Sequence, residues 1–221
     1  SVITDLDHNQ IASFHTGAMA RARELSLRQL AGESIDLVII SPNDPAAMRK
    51  YAQECRELGI AFVYDPSQQL ARIDGPTLVE SMAGARALTV NEYEYEMVRQ
   101  KSGLDDAGLL ALVDVIVVTL GARGSKVIGQ GFDLFIPAAA ASRVAEPTGV
   151  GDAYRAGLLT GMVHGFPWDV SCRLASLAAT YVIEQQGTMS HHYDLSAFVT
   201  RYRQTFGDTP ELNGLLGQRG A

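Results

Sequence analysis

Lysine is nearly missing from this chain: Lys50, Lys101 and Lys126 are the whole supply, and none follows a glycine. That excludes a Walker A loop, which needs a lysine after its last glycine to reach the phosphates. Cysteine is as scarce. Cys55 and Cys172 both fall in helical patterns, which favours buried free thiols in a reducing cytoplasm over paired extracellular cysteines. No apolar run is long enough to span a bilayer, no secretory signal opens the chain, and no tract is of low complexity. An initiator methionine is also missing, so the expectation is a fragment or a processed form. The net charge of −7 argues against nucleic acid or an anionic membrane as a partner, since neither is drawn to an acidic surface. Fifteen of the eighteen basic residues are arginines, which pair well with phosphate, but they are scattered rather than clustered.

What is present is enough apolar material, 47% of 221 residues, for one large domain with a substantial core. Short apolar runs at 37–40, 60–64, 87–90 and 115–120 alternate with helical patterns at 45–58, near 75–83 and after Asn91. Asp44 or Asn43 caps the first of these helices, Pro45 suits its first turn and Gly59 stops it. Such alternation predicts an α/β fold with a mainly parallel sheet covered by helices on both faces. A further helix is expected over 20–30. Another starts at Trp168, with Val170, Leu174, Leu177 and Tyr181 on one face and Gly187 beyond its end. Residues 2–14 read as a hairpin turning at Asp7, His8, Asn9 and Gln10.

In parallel sheets ligands gather at the carboxyl ends of the strands. The polar sets at those ends are residues 41–44, Asp65, Asn91 with Glu94, and 119–123. Taken singly, each reads as a loop satisfying its own backbone, and Asn91 with Glu94 as an ordinary helix cap. Their recurrence at one end of successive strands favours a site. Residues 119–124 form a glycine-containing connection before a β-like run at 125–128, and from it Arg123 either reaches a phosphate or stays solvated. Gly149 and Gly151 precede Asp152, where a helical pattern begins and runs to about residue 164. The glycines let N–H groups turn outward, and the helix start adds unpaired N–H groups and the positive dipole end, which together attract an anion such as phosphate. Asp152 is then either an N-cap or a base for a hydroxyl attacking phosphorus. The spacing is not G-x-G-x-x-G. Ala153, Gly157 and Gly161 form a small-residue stripe that permits close packing, and His191 with His192 read as surface residues rather than metal ligands.

As a string, residues 146–157 (E-P-T-G-V-G-D-A-Y-R-A-G) resemble the second signature of the ribokinase (PfkB) family of sugar and nucleoside kinases, D-[PT]-T-G-A-G-D-x-F-x-x-G. The resemblance implies a ribokinase-like three-layer α/β/α fold with part of a small β lid, and phosphoryl transfer from ATP to an alcohol. It makes Asp152 the catalytic base and Gly149, Val150 and Gly151 the anion hole. Asn91 and Glu94 resemble the family's N-x-x-E motif, implying a nucleotide-binding role for Asn91 and a water-mediated contact of Glu94 with Mg²⁺. Thr119, Gly121, Arg123 and Gly124 resemble its T-L-G-x-x-G nucleotide loop. Residues 3–11 resemble the lid strands of nucleoside-type members, which implies a lid over 1–18 and a nucleotide-binding, catalytic domain over 19–221. Glu146 replaces the leading Asp that helps hold a monovalent cation in potassium-activated members, which counts against that cofactor here. The hairpin and residues 65–70 look like bacterial and archaeal kinases of the nucleoside 5′-hydroxyl (adenosine, inosine or guanosine). A ribokinase- or fructokinase-type sugar kinase is the nearest alternative. A non-catalytic nucleotide-binding fragment is the alternative from another class, because the family's N-terminal substrate-holding segment is not in this sequence. Lid strands pair between subunits in some members, so a homodimer stays open.

Overall fold

The computed structural model describes residues 2–4, 10–12, 15–30 and 32–216. Strands β1 (Val2–Thr4) and β2 (Gln10–Ala12) pair antiparallel, with Ile3 opposite Ile11. Gln10 thus joins the second strand, and Asp7, His8 and Asn9 of the expected turn lie outside the described residues. The helix expected over 20–30 is corrected. Gly17–Glu24 and Leu27–Leu30 are two 3₁₀ stretches broken at Leu25, whose backbone is extended. Ala22 is their one buried residue, so no apolar stripe is packed to reward a continuous α-helix.

From there strand and helix alternate: β3 (Val38–Ile40), α1 (Pro45–Leu58), β4 (Phe62–Tyr64), α2 (Gly75–Met82), β5 (Ala87–Asn91), α3 (Glu92–Ser102), α4 (Asp106–Leu110) and β6 (Val115–Thr119). The antiparallel strands β7 (Gly124–Gly129) and β8 (Phe132–Pro137) follow, then α5 (Val150–Val163), α6 (Trp168–Ile183), α7 (Leu195–Phe206) and α8 (Glu211–Leu216). The six-stranded sheet runs β3-β4-β5-β6-β7-β8, parallel through β6. Asp44 caps α1 by accepting from the Ala47 amide at 3.1 Å, and Gly59 ends it in the left-handed region at φ 67°.

The period of two along β6 shows why a continuous apolar run was needed. Ile116 and Val118 enter the core shared with α1, α2 and α3, whereas Val115 and Val117 enter the opposite core with α5 and α6. Helices α7 and α8 pack outside α6 in a third cluster. The small-residue stripe is used where α5 crosses α6: a Cβ on Gly157 would lie 2.6 Å from the Ala175 Cα, and one on Gly161 2.7 Å from the Ser171 Cα. Both cysteines are free and buried, and burial pushes their thiols up to about 11 at Cys55 and about 12 at Cys172, which leaves them unreactive.

The segment leading into α5 is fastened to the end of α6. Glu184 accepts from the Ser142 amide at 2.6 Å and from both Arg201 terminal nitrogens, at 2.8 and 2.6 Å. The Ala145 amide donates to the Ile183 carbonyl at 2.8 Å, and the Gly187 amide to Glu146 Oε2 at 2.8 Å. The Arg201 guanidinium and the Ser142 amide hold the nearly buried Glu184 carboxyl down at about 2. A depressed acid stabilises the fold above its ordinary range, and that contribution disappears as pH falls toward the folded value. Glu184→Gln is therefore expected to cost about 3 kcal/mol near neutrality, by leaving Arg201 without its charge partner. In urea denaturation the gap from the unsubstituted protein should narrow as pH drops from 4.5 toward 2. A gap that is flat with pH would contradict this.

Candidate active site

Parallel pairing brings the carboxyl ends of β4, β5 and β6 to one side of the sheet, and α5 starts there. Gly149 takes the N-cap position of α5 in the left-handed region, φ 85°, with a Cβ there meeting Thr188 at 3.3 Å. The helix begins two residues earlier than the sequence pattern indicated, so Asp152 sits in its first turn and is not its cap. No side chain caps this end. The Val150 amide turns to the Pro147 carbonyl at 3.3 Å, while among the described residues the amides of Gly149, Gly151 and Asp152 make no hydrogen bond. Open amides at a helix start are the arrangement that binds an anion.

A cavity of about 240 Å³ beside this helix end is lined by Asn91, Glu94, Thr119, Gly151 and Asp152, five of the residues singled out from sequence. Gly149 and Val150 flank it in the chain. The rest of the T-L-G-x-x-G loop stands apart from its lining. Gly121 opens a 3₁₀ turn, and Arg123 pairs with Glu92 at 2.6 Å on an exposed surface. Gly124 is required by the sheet itself: at φ 118°, a Cβ would lie 2.0 Å from the Ile136 carbonyl oxygen.

Asn91 and Glu94 form a reciprocal capping box at the start of α3. The Glu94 amide donates to Asn91 Oδ1 and the Asn91 amide to Glu94 Oε2, each at 2.8 Å. The ordinary reading of this pair is thus realised. The box also fixes the Glu94 carboxyl at the cavity, and its Oε1 makes no hydrogen bond among the described residues. Among those residues no group of three or more His, Cys, Asp and Glu side chains could cage a metal. Spare carboxylate oxygens on Glu94 and Asp152 nevertheless suit a hard ion held mainly by phosphates and water, as Mg²⁺ usually is.

Ser67, Thr89, Val90, Tyr154 and Arg155 complete the lining. Tyr154 fills the signature's Phe position, and its hydroxyl is satisfied by donating to Ser125 Oγ on β7 at 2.7 Å. Ser67 has the one positive φ among the described non-glycine residues, 40°, a strained backbone at the rim. Arg155 Nη2 donates to Asp152 Oδ1 at 2.6 Å, and its Nε pairs with Asp65 Oδ2 at 2.9 Å. Asp65 is fully buried at the end of β4. Burial pushes its carboxyl up to about 7, and Glu94 and Asp152 push in the same direction against the pull of Arg155 and the weaker one of the Ser41 hydroxyl. Arg155 escaped the sequence reading although the signal was there: three residues past Asp152 on a helix is the same face. Nothing in the sequence marked the Ser67 backbone. His191 and His192 lie away from the cavity lining, His191 packed on the Tyr193 ring.

The chain is similar to known proteins over most of its length. The model of the pfkB family carbohydrate kinases matches residues 2–193. A nucleoside kinase of Methanothermobacter thermautotrophicus is 29% identical over 212 residues, covering 96% of this chain and 68% of that protein. A nucleoside kinase of Methanocaldococcus jannaschii is 29% identical over 190 residues, 86% of this chain and 62% of that protein. The structure of a Burkholderia thailandensis nucleoside kinase in complex with inosine superposes with TM-score 0.90 at 35% identity, covering 95% of this chain and 68% of that one. The chain therefore spans only about two thirds of the length of the proteins it resembles.

Proposed function

Because this chain belongs to the pfkB family of carbohydrate kinases, we propose that it transfers the γ-phosphoryl group of ATP to the 5′-hydroxyl of a nucleoside. One observation carries the reading: a single cavity joins the Asp152 carboxylate, the open amide of Gly151 and the Glu94 carboxylate. Its likeness to nucleoside kinases, including a structure described as holding inosine, favours a nucleoside acceptor over a free sugar.

Asp152 Oδ1 is occupied by Arg155, and Oδ2, unpartnered among the described residues, takes the hydroxyl proton as the oxygen attacks phosphorus. The anion hole at Gly149, Val150 and Gly151, widened by the amide of Asp152, meets the charge spreading over the transferred phosphoryl. Glu94 and Asn91 would hold a Mg²⁺ ion through water, and that ion would supply charge neutralisation at the phosphates. Thr119, at the end of β6, lines the same cavity, and the nucleotide-loop role of Gly121, Arg123 and Gly124 rests on the resemblance of their string. The lid role assigned to residues 1–18, and the catalytic one to 19–221, rests on the resemblance of residues 3–11 to the family's lid strands. The buried free thiols accord with a reducing compartment.

A competition screen with ATP and an equimolar set of adenosine, inosine, guanosine, ribose and fructose tests the acceptor class. At least one nucleoside should be consumed at ~10-fold or more the rate of either sugar, because a pocket that hydrogen-bonds a base loses those contacts with a free sugar. Ribose or fructose leading the set would replace the nucleoside reading with that of a sugar kinase.

A further inference from the structure

We propose that Arg155 and Asp65 act as a positioning pair that holds Asp152 in its working orientation, an inference that rests on the assignment of Asp152 as the base. Asp152 needs such help. Its side chain is 80% exposed and, among the described residues, Arg155 is its one hydrogen-bond partner. An i,i+3 contact between two solvated side chains would fix little. Here the arginine is held from behind: its side chain is 22% exposed and its Nε pairs at 2.9 Å with a carboxylate that no solvent reaches. The guanidinium spans two acidic groups, one deep in the fold and one in the cavity, and its terminal nitrogens lie 3.6–3.7 Å from where a Cβ on Gly151 would be.

Charge balance supports the same role. Asp65 is faced by Ser41 from the end of β3, Glu94 from α3, and Asp152 and Arg155 from α5. Asp65 and Asp152 therefore share one cation, and no other Lys or Arg among the described residues pairs with either. Without Arg155 their mutual repulsion drives the exposed member, Asp152, outward. Asp65 is also costly to keep: its Oδ1 is buried without a partner, and its ionised form is disfavoured by burial. A fold selected for stability alone would place an apolar or amide side chain there.

The test combines kinetics with melting curves for Arg155→Met, Arg155→Lys, Asp65→Asn, Asp152→Asn and the Asp152→Asn/Arg155→Met double variant. Displacing a reacting group by about 1 Å costs up to ~10² in rate, so Arg155→Met should lower kcat ~30–100-fold. The KM values for ATP and nucleoside should stay within ~3-fold, because orientation rather than ground-state binding is lost. Arg155→Lys should recover part of that loss, since one ammonium keeps the charge but not the fork. Asp65→Asn should lower kcat while its melting temperature holds or rises, an outcome that a structural role does not produce. The double variant should be no slower than Asp152→Asn alone. Unchanged kcat in folded Arg155→Met, a change in KM only, or additive losses in the double variant would overturn the inference. If Asp152→Asn or the unsubstituted protein shows that Asp152 is not a base, the inference falls with that assignment. If Asp152→Asn is inactive and Arg155→Met fully active, the positioning pair alone is refuted.

Discussion

Asp152→Asn should reduce kcat by ~10²–10⁴ with little change in nucleotide affinity. The substitution keeps the size and the acceptor oxygen that Arg155 contacts, so the first turn of α5 and its open amides stay in place. What disappears is the carboxylate that stands in the first turn of the helix and takes the proton. The side chain is largely exposed, and its replacement should leave the melting temperature unchanged. Rate and stability thus separate cleanly in this variant. Turnover near that of the unsubstituted protein would remove Asp152 from the role of base.

Gly157→Val should have a large effect on stability. The added Cβ would fall 2.6 Å from the Ala175 Cα and 2.9 Å from both the Ala175 amide nitrogen and the Leu174 carbonyl oxygen. These are backbone atoms of α6 and cannot rotate away, so the two helices must separate. Overpacking of this kind costs about 3 kcal/mol, or roughly 10 °C in melting temperature for a chain of this size. Because α5 carries Gly151 and Asp152 at its start, the same shift should move them relative to Glu94 and lower activity below the melting transition. A melting curve superimposable on that of the unsubstituted protein would show that the α5–α6 crossing is looser than the structure indicates.

The parts of this fold legible in sequence are those with a local physical cause. The β6 run was readable because a strand buried on both faces must be apolar throughout. Helix α1 was readable because Asp44, Pro45 and Gly59 each satisfy a terminus. Strand β8 gave no such signal, because it is a half-covered edge on which Phe135 remains exposed against the alternation. The stretch from Gly17 to Leu30 misled for the opposite reason: its composition suits a helix, but its tertiary surroundings bury only Ala22. At the site, Gly149, Gly151 and Asp152 are marked by the resemblance of their string to a family signature, whereas their spacing alone leaves Asp152 either a cap or a base. The sequence pointed to Arg123 and passed over Arg155, and only the fold pairs the former with Glu92 at the surface and sets the latter against Asp65.

The most direct measurement is the product formed when the purified protein is incubated with Mg²⁺, γ-¹⁸O-labelled ATP and inosine. Mass spectrometry and phosphorus NMR should find a labelled 5′-monophosphate accumulating in step with ADP, and neither should form at a comparable rate with Asp152→Asn. ADP without a phosphorylated nucleoside from any of adenosine, inosine and guanosine, or equal product from Asp152→Asn, would contradict phosphoryl transfer by this site.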